Sequence, residues 1–116
     1  MFDPKLIDPI CEGALAPVDS GVIMFSNPAM QYSRSMLTVR FSDDGGESWD
    51  DDKNVVIADK MADYSSLVAG QVQEGTGEGG VLWGSCERPM PWRVWCANAH
   101  DWNVMFTTFP LPDAGN

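Results

Sequence analysis

The most chemically specific stretch of the sequence is Ser42-Asp43-Asp44-Gly45-Gly46-Glu47-Ser48-Trp49, which fits the pattern Ser-x-Asp-x-Gly-x-Thr-Trp with Ser48 in place of threonine. These residue types suit a hairpin clasp. The Asp44 carboxylate accepts hydrogen bonds from turn N–H groups, Gly46 supplies a positive φ, and Trp49 covers the turn with a large apolar face. The expected role is structural, with no part in catalysis or metal binding. Cys86, Cys96 and His100 form a second constellation. Their spacing is not that of a zinc site, and no fourth ligand is evident. Cys86 and Cys96 are expected as buried free thiols or as a loop disulfide, and His100 as a polar loop residue. No metal and no cofactor is expected. The glycine-rich stretch Gly75-Thr76-Gly77-Glu78-Gly79-Gly80 lacks the Lys-Ser/Thr pair of a phosphate-binding loop and precedes no helical pattern, so it reads as a mobile connector.

Strands must position these groups. Short apolar runs occur at Leu15-Ala16, Gly21–Phe25, Met36–Phe41, Asn54–Ile57, Ser66–Ala69, Val81–Trp83 and Val104–Phe109, bounded by Gly, Pro, Asn, Asp or Ser. That length and punctuation predict an all-β, antiparallel fold with short turns. Val18-Asp19-Ser20-Gly21 and Asp43-Asp44-Gly45-Gly46 suit tight hairpins. No window of eleven or more residues carries a 3.6-residue apolar period, so no long helix is predicted. Ser85 to Trp102, with two prolines and no period, is expected to be a long loop packed by its own aromatic side chains.

At 116 residues the chain has room for one small domain. Seven Lys and Arg against 17 Asp and Glu give a net charge of -10, which argues against nucleic acid or anionic membrane surfaces as partners. No apolar run is long enough to span a membrane, and no basic start followed by a long apolar stretch announces a signal peptide. Three cysteines are too few and too uneven for a disulfide framework.

With its order of segments, the chain resembles the C-terminal part of the catalytic domain of sialidases (neuraminidases). Ser42 to Trp49 is similar to their Asp-box, or BNR repeat. Asp8-Pro9-Ile10-Cys11-Glu12-Gly13-Ala14 resembles the Asp-Pro-x-Cys-x-Gly-Ser entry to an inner strand. Phe25-Ser26-Asn27-Pro28-Ala29 and Arg34 through Arg40 resemble the Phe-Ser-Asn-Pro segment and its downstream arginine. Asp63-Tyr64-Ser65-Ser66-Leu67 resembles an Ala-Tyr-Ser-Asp-Leu segment, and Gly80–Trp83 and Val104–Leu111 resemble two closing strands. The likeness covers about Leu6 to Leu111. It implies a six-bladed β-propeller, which needs roughly 300 residues, so this chain holds about two blades. Residues 12–58 would form one four-stranded blade carrying the box at 42–49, and residues 64–110 a second, incomplete blade. Unpaired blade faces and an open edge would favour self-association.

The resemblance assigns two site residues. Arg34 stands where the third arginine of a carboxylate-binding triad belongs, and a planar guanidinium grips a carboxylate through two parallel hydrogen bonds. Tyr64 stands at the nucleophile. A phenol titrating near 10 needs a base to act at neutral pH, but a neutral nucleophile avoids repulsion by the carboxylate on the reacting carbon of sialic acid. The implied activity is hydrolysis of terminal sialic acid from glycoconjugates. The other two arginines, the acid/base and the glutamate that activates the tyrosine belong to earlier blades. The isolated chain is therefore expected to be inactive. The alternatives are a non-catalytic module that binds sialylated glycans weakly, and a purely structural Asp-box domain. Arg40 is expected at the surface. Three positions depart from the family pattern: Ala14 replaces serine, Asp63 a small residue, and Gly84 a glutamate that Glu87, three residues on, would have to replace.

Overall fold

A computed structural model describes residues 3–18, 21–70, 77–86 and 102–112. Six strands follow one another as β1 (Ala14–Pro17), β2 (Ile23–Pro28), β3 (Ser35–Ser42), β4 (Val55–Ala69), β5 (Glu78–Cys86) and β6 (Trp102–Pro110). They pair in sequence order, each antiparallel to the next. The helical content of the described residues is one 3-10 turn, Asp51–Lys53, capped by the Asp50 carboxylate on the Asp52 N–H. The fold is all-β. Among the described residues no helix is long and apolar enough to cross a membrane.

Two expected strands prove to be one. Asn54–Ile57 and Ser66–Ala69 lie at or near the ends of the fifteen-residue β4. The residues between them contain no glycine or proline to stop a strand. β4 changes partner instead of ending: its Met61 pairs with Ser35 of β3, and the adjacent Ala62 with Ser85 of β5. The sheet thus has a four-strand half and a three-strand half that share β4. Glu78–Gly80, read from sequence as part of a connector, opens β5. The reason is close packing. A Cβ on Gly79 would lie 2.5 Å from the Phe109 ring, so only glycine lets β6 approach there.

The two halves curl around a single core. Met24, Leu37, Val39, Phe41, Ala62, Val81 and Phe109 fill it, with Trp83 and Leu111 at its margin. Phe41 and Phe109 lie three strands apart, about 14 Å in a flat sheet. Their ring centroids are only 6.2 Å apart, in an edge-to-face contact, so the sheet must fold over on itself. Full burial of Leu37 or Val39 contributes about 1.5–3 kcal/mol each. On the convex side of the three-strand half, Val68, Leu82, Val104 and Phe106 remain exposed.

The outer face of β2 and β3 is covered by the N-terminal segment, which runs along it as a strap. Near one end Arg40 Nη1 donates to the Lys5 carbonyl, and Lys5 Nζ donates to the Trp49 carbonyl at 3.3 Å. In the middle Asn27 Nδ2 donates to the Ile7 carbonyl at 2.8 Å and to Asp8 Oδ1 at 3.1 Å. Arg40 is therefore not a surface residue; it is 7 % exposed. Sequence reading missed this because nothing local to β3 announces that a distant segment covers it. Ser85, Cys86 and Trp102, expected at the ends of a long loop, are instead paired strand residues of β5 and β6, because the ladder between these two strands runs on to Cys86 and Trp102. Residues 87–101, with Glu87, Cys96 and His100, lie outside the described residues, and with them the rest of the loop and the zinc and disulfide expectations.

Candidate functional site

β3 separates the two motifs singled out by sequence. Arg34 precedes its first residue and the clasp begins at its last, about 25 Å away along an extended strand.

At the clasp end, Asp44 organises the turn. Its Oδ1 accepts from Ser42 Oγ and from the Ser48 N–H, both at 2.8 Å, and its Oδ2 accepts from Ser48 Oγ. Ser42 Oγ also accepts from the Gly46 N–H at 2.8 Å. These bonds, those from Ser48 foremost, hold the Asp44 carboxyl down at about 2. Gly45 and Gly46 have φ of 75° and 92°, which a side chain would strain. Trp49 is buried and meets Phe25 edge-on, with centroids 6.0 Å apart. The clasp opens the longer connection 43–54 and does not form a two-residue hairpin. A cavity of about 370 Å³ lies beside it, bounded by Lys5, Phe41, Asp43, Trp49 and Lys53. Its lysines are paired, Lys5 with Asp51 at 3.5 Å and Lys53 with Asp43 at 3.5 Å, and it lies at the opposite end of β3 from Arg34.

At the other end, the change of partner in β4 brings Arg34 and Tyr64 together. Between Ala62 and Ser65 the register slips against β5, so Asp63 and Tyr64 form a bulge. A bulge re-aims side chains that a regular strand would send to opposite faces. The Ala62 N–H donates to the Arg34 carbonyl at 2.8 Å, which fixes the arginine backbone to β4. The guanidinium then lies 5.5 Å from the centroid of the Tyr64 ring. Its Nη1 donates to Asp63 Oδ1 at 2.8 Å and its Nη2 to the Ile10 carbonyl at 3.1 Å.

The strap completes the cluster. Asp8 Oδ2 accepts from the Cys11 N–H at 3.1 Å, and the Cys11 thiol donates to Asp63 Oδ1 at 3.2 Å. Burial pushes the Cys11 thiol up to about 12, helped by its bond to Asp63 and by that residue's charge. It stays protonated and serves as a donor, not as a nucleophile. For Arg34 burial opposes the charge, but the shift is upward, led by the neighbouring Asp63 carboxylate, so the guanidinium stays charged. Ile10 and Met36 have φ of 61° and 59°, and both lie beside Arg34. Such a conformation is strained for a β-branched residue such as Ile10, and strain of this kind concentrates where a site must be held in shape.

The arrangement offers a fixed cation beside a half-exposed phenol. The Arg34 side chain is 31 % exposed, enough for an anion to reach it. Tyr64, whose ring lies against this guanidinium, is exposed as well. The carboxylate in its neighbourhood, Asp63, is engaged by Arg34 and Cys11. Sequence reading paired Arg34 with Tyr64 but missed the roles of Ile10, Cys11 and Asp63. The Asp8-Pro9 turn signal and the unusual Asp63 beside the tyrosine were the available clues. Gly84 pairs with Val104 within the β5–β6 ladder. No protein-family model matches the chain.

Proposed function

We propose that the chain is part of a sialidase-type β-propeller, and that the Arg34–Tyr64 cluster is its contribution to a site for terminal sialic acid. In this reading Arg34 grips the sugar carboxylate through its guanidinium fork. Tyr64 attacks the anomeric carbon, giving a covalent tyrosyl glycoside that water hydrolyses with net retention. A base to deprotonate Tyr64 and an acid for the leaving group must come from residues other than these two. The observation that carries the reading is the 5.5 Å approach of the Arg34 guanidinium, just before β3, to the ring of Tyr64 in β4, thirty positions along the chain. The four-plus-three division of strands about β4 supports it, since one blade and most of a second would have that count.

A second reading, a non-catalytic sialic-acid-binding module, is favoured by the engagement of Asp63 with Arg34 and Cys11 instead of with the phenol. Titration of the labelled chain with N-acetylneuraminic acid, followed by NMR, tests what the two share. Shifts should centre on Arg34, Tyr64 and Cys11 and vanish in Arg34→Lys, because one ammonium cannot reproduce a two-pronged contact. Shifts centred on Ser42–Trp49, or unaltered in Arg34→Lys, would refute both. A fluorogenic sialoside separates them. The binding module gives no turnover in any assembly, whereas the enzyme reading requires turnover lost in Tyr64→Phe once the remaining site residues are supplied.

A further inference from the structure

The Arg34 guanidinium already holds a carboxylate. Asp63 Oδ1 lies 2.8 Å from Nη1, and the Cys11 thiol braces the same oxygen from 3.2 Å. The Asp63 side chain is 20 % exposed and sits in the bulge of β4, so it is fixed in place and not a freely swinging surface group. The Ile10 carbonyl takes the other terminal nitrogen of the arginine. An incoming carboxylate therefore meets an ion pair in place of a free cation. Having reached Arg34, it lies within a few ångströms of a fixed like charge.

We propose that Asp63 sets the anion affinity of this site by competing with the ligand carboxylate for Arg34. The inference rests on the reading of Arg34 as a carboxylate-binding residue. Two roles are open to a carboxylate in this position, and they have opposite consequences. If Asp63 served only to orient Arg34, its loss would weaken ligand binding. If it competes, its loss strengthens binding of anions specifically. Competition is favoured because orientation is supplied twice over without Asp63: the Arg34 backbone is tied to Ala62, and its Nη2 to Ile10. A partly solvated unit charge about 5–6 Å from the ligand carboxylate, at an effective dielectric of about 50–80, changes affinity about three- to tenfold. The Cys11 thiol, which remains protonated to about 12, keeps the acceptor oxygen of Asp63 satisfied throughout the neutral range.

The test is titration of the 116-residue chain with N-acetylneuraminic acid and, in parallel, with its neutral methyl ester. Asp63→Asn keeps the shape and the acceptor oxygen but removes the charge. It should bind the acid about three- to tenfold more tightly than the parent chain and the ester no more tightly. Asp63→Ala should do the same, which keeps the test decisive if one variant folds poorly. Unchanged or weaker binding of the acid in the folded Asp63 variants overturns the proposal, as does an equal gain for the ester. Arg34→Gln separates this failure from failure of the site itself. Acid binding that survives Arg34→Gln refutes the carboxylate-site reading. Binding that depends on Arg34 but does not rise in Asp63→Asn refutes competition alone. Absence of acid binding in the parent chain and in both Asp63 variants overturns both.

Discussion

The contact between Phe41 and Phe109 should be measurable as a coupling free energy. Both rings are almost wholly buried, on β3 and β6, and their edge-to-face contact at 6.2 Å exists only because the sheet curls. Phe41→Leu and Phe109→Leu keep most of the buried volume and should each cost about 1–2 kcal/mol, less than the ~3–5 of truncation to alanine. If the rings meet as described, their interaction adds about 0.5–1.5 kcal/mol beyond area burial. The double variant would then lose less than the sum of the singles by that amount. The assay is urea unfolding of the four proteins at neutral pH, followed by tryptophan fluorescence, with the slope of each transition compared to exclude a change in the unfolded state. Coupling below about 0.3 kcal/mol would mean that the two halves of the sheet do not share a core. The curled arrangement, and the shared core that goes with it, would then be refuted.

Two other perturbations test the two ends of β3. The Asp44 carboxyl is held at about 2, below its ordinary value of 3.8, so the stabilisation it provides is complete above that ordinary value and is lost as the pH falls through about 2. Asp44→Asn should therefore lower the melting temperature at pH 7 and lose that deficit by pH 2; a deficit independent of pH would contradict the clasp geometry. Ile10 is 88 % exposed with φ of 61°, so Ile10→Gly relieves backbone strain and removes little packing. Relief of about 1–2 kcal/mol, less the added freedom of glycine in the unfolded chain, leaves a gain of about 0.5–1 kcal/mol, visible as a rise in Tm; a fall would show that the Ile10 conformation is not strained.

Sequence alone determined the features that depend on neighbouring residues. Short apolar runs and turn residues marked each of the six described strands, with β4 read as two, because strand formation and chain reversal are set within a few residues. The clasp was legible in part: Asp44 accepts the Ser48 N–H and Gly46 takes a positive φ, as their types predict, but the tight hairpin does not form and the Ser42 bonds were not foreseen. Arg34 and Tyr64 were paired by resemblance to a known segment order, and the structure places them side by side. Tertiary structure decided what depends on distant partners. β4 runs unbroken through the point where its partner changes, because a strand needs an acceptor for each N–H but carries no local mark of which neighbour supplies it. The burial of Arg40 and the bracing of Asp63 by Cys11 both come from the strap, a segment with no regular structure of its own whose course over β2 and β3 has no periodicity to announce it. The charged cluster around Arg34 arises from residues brought from the strap and β4. Coulomb interactions follow separation in space, and only the folded chain fixes that separation.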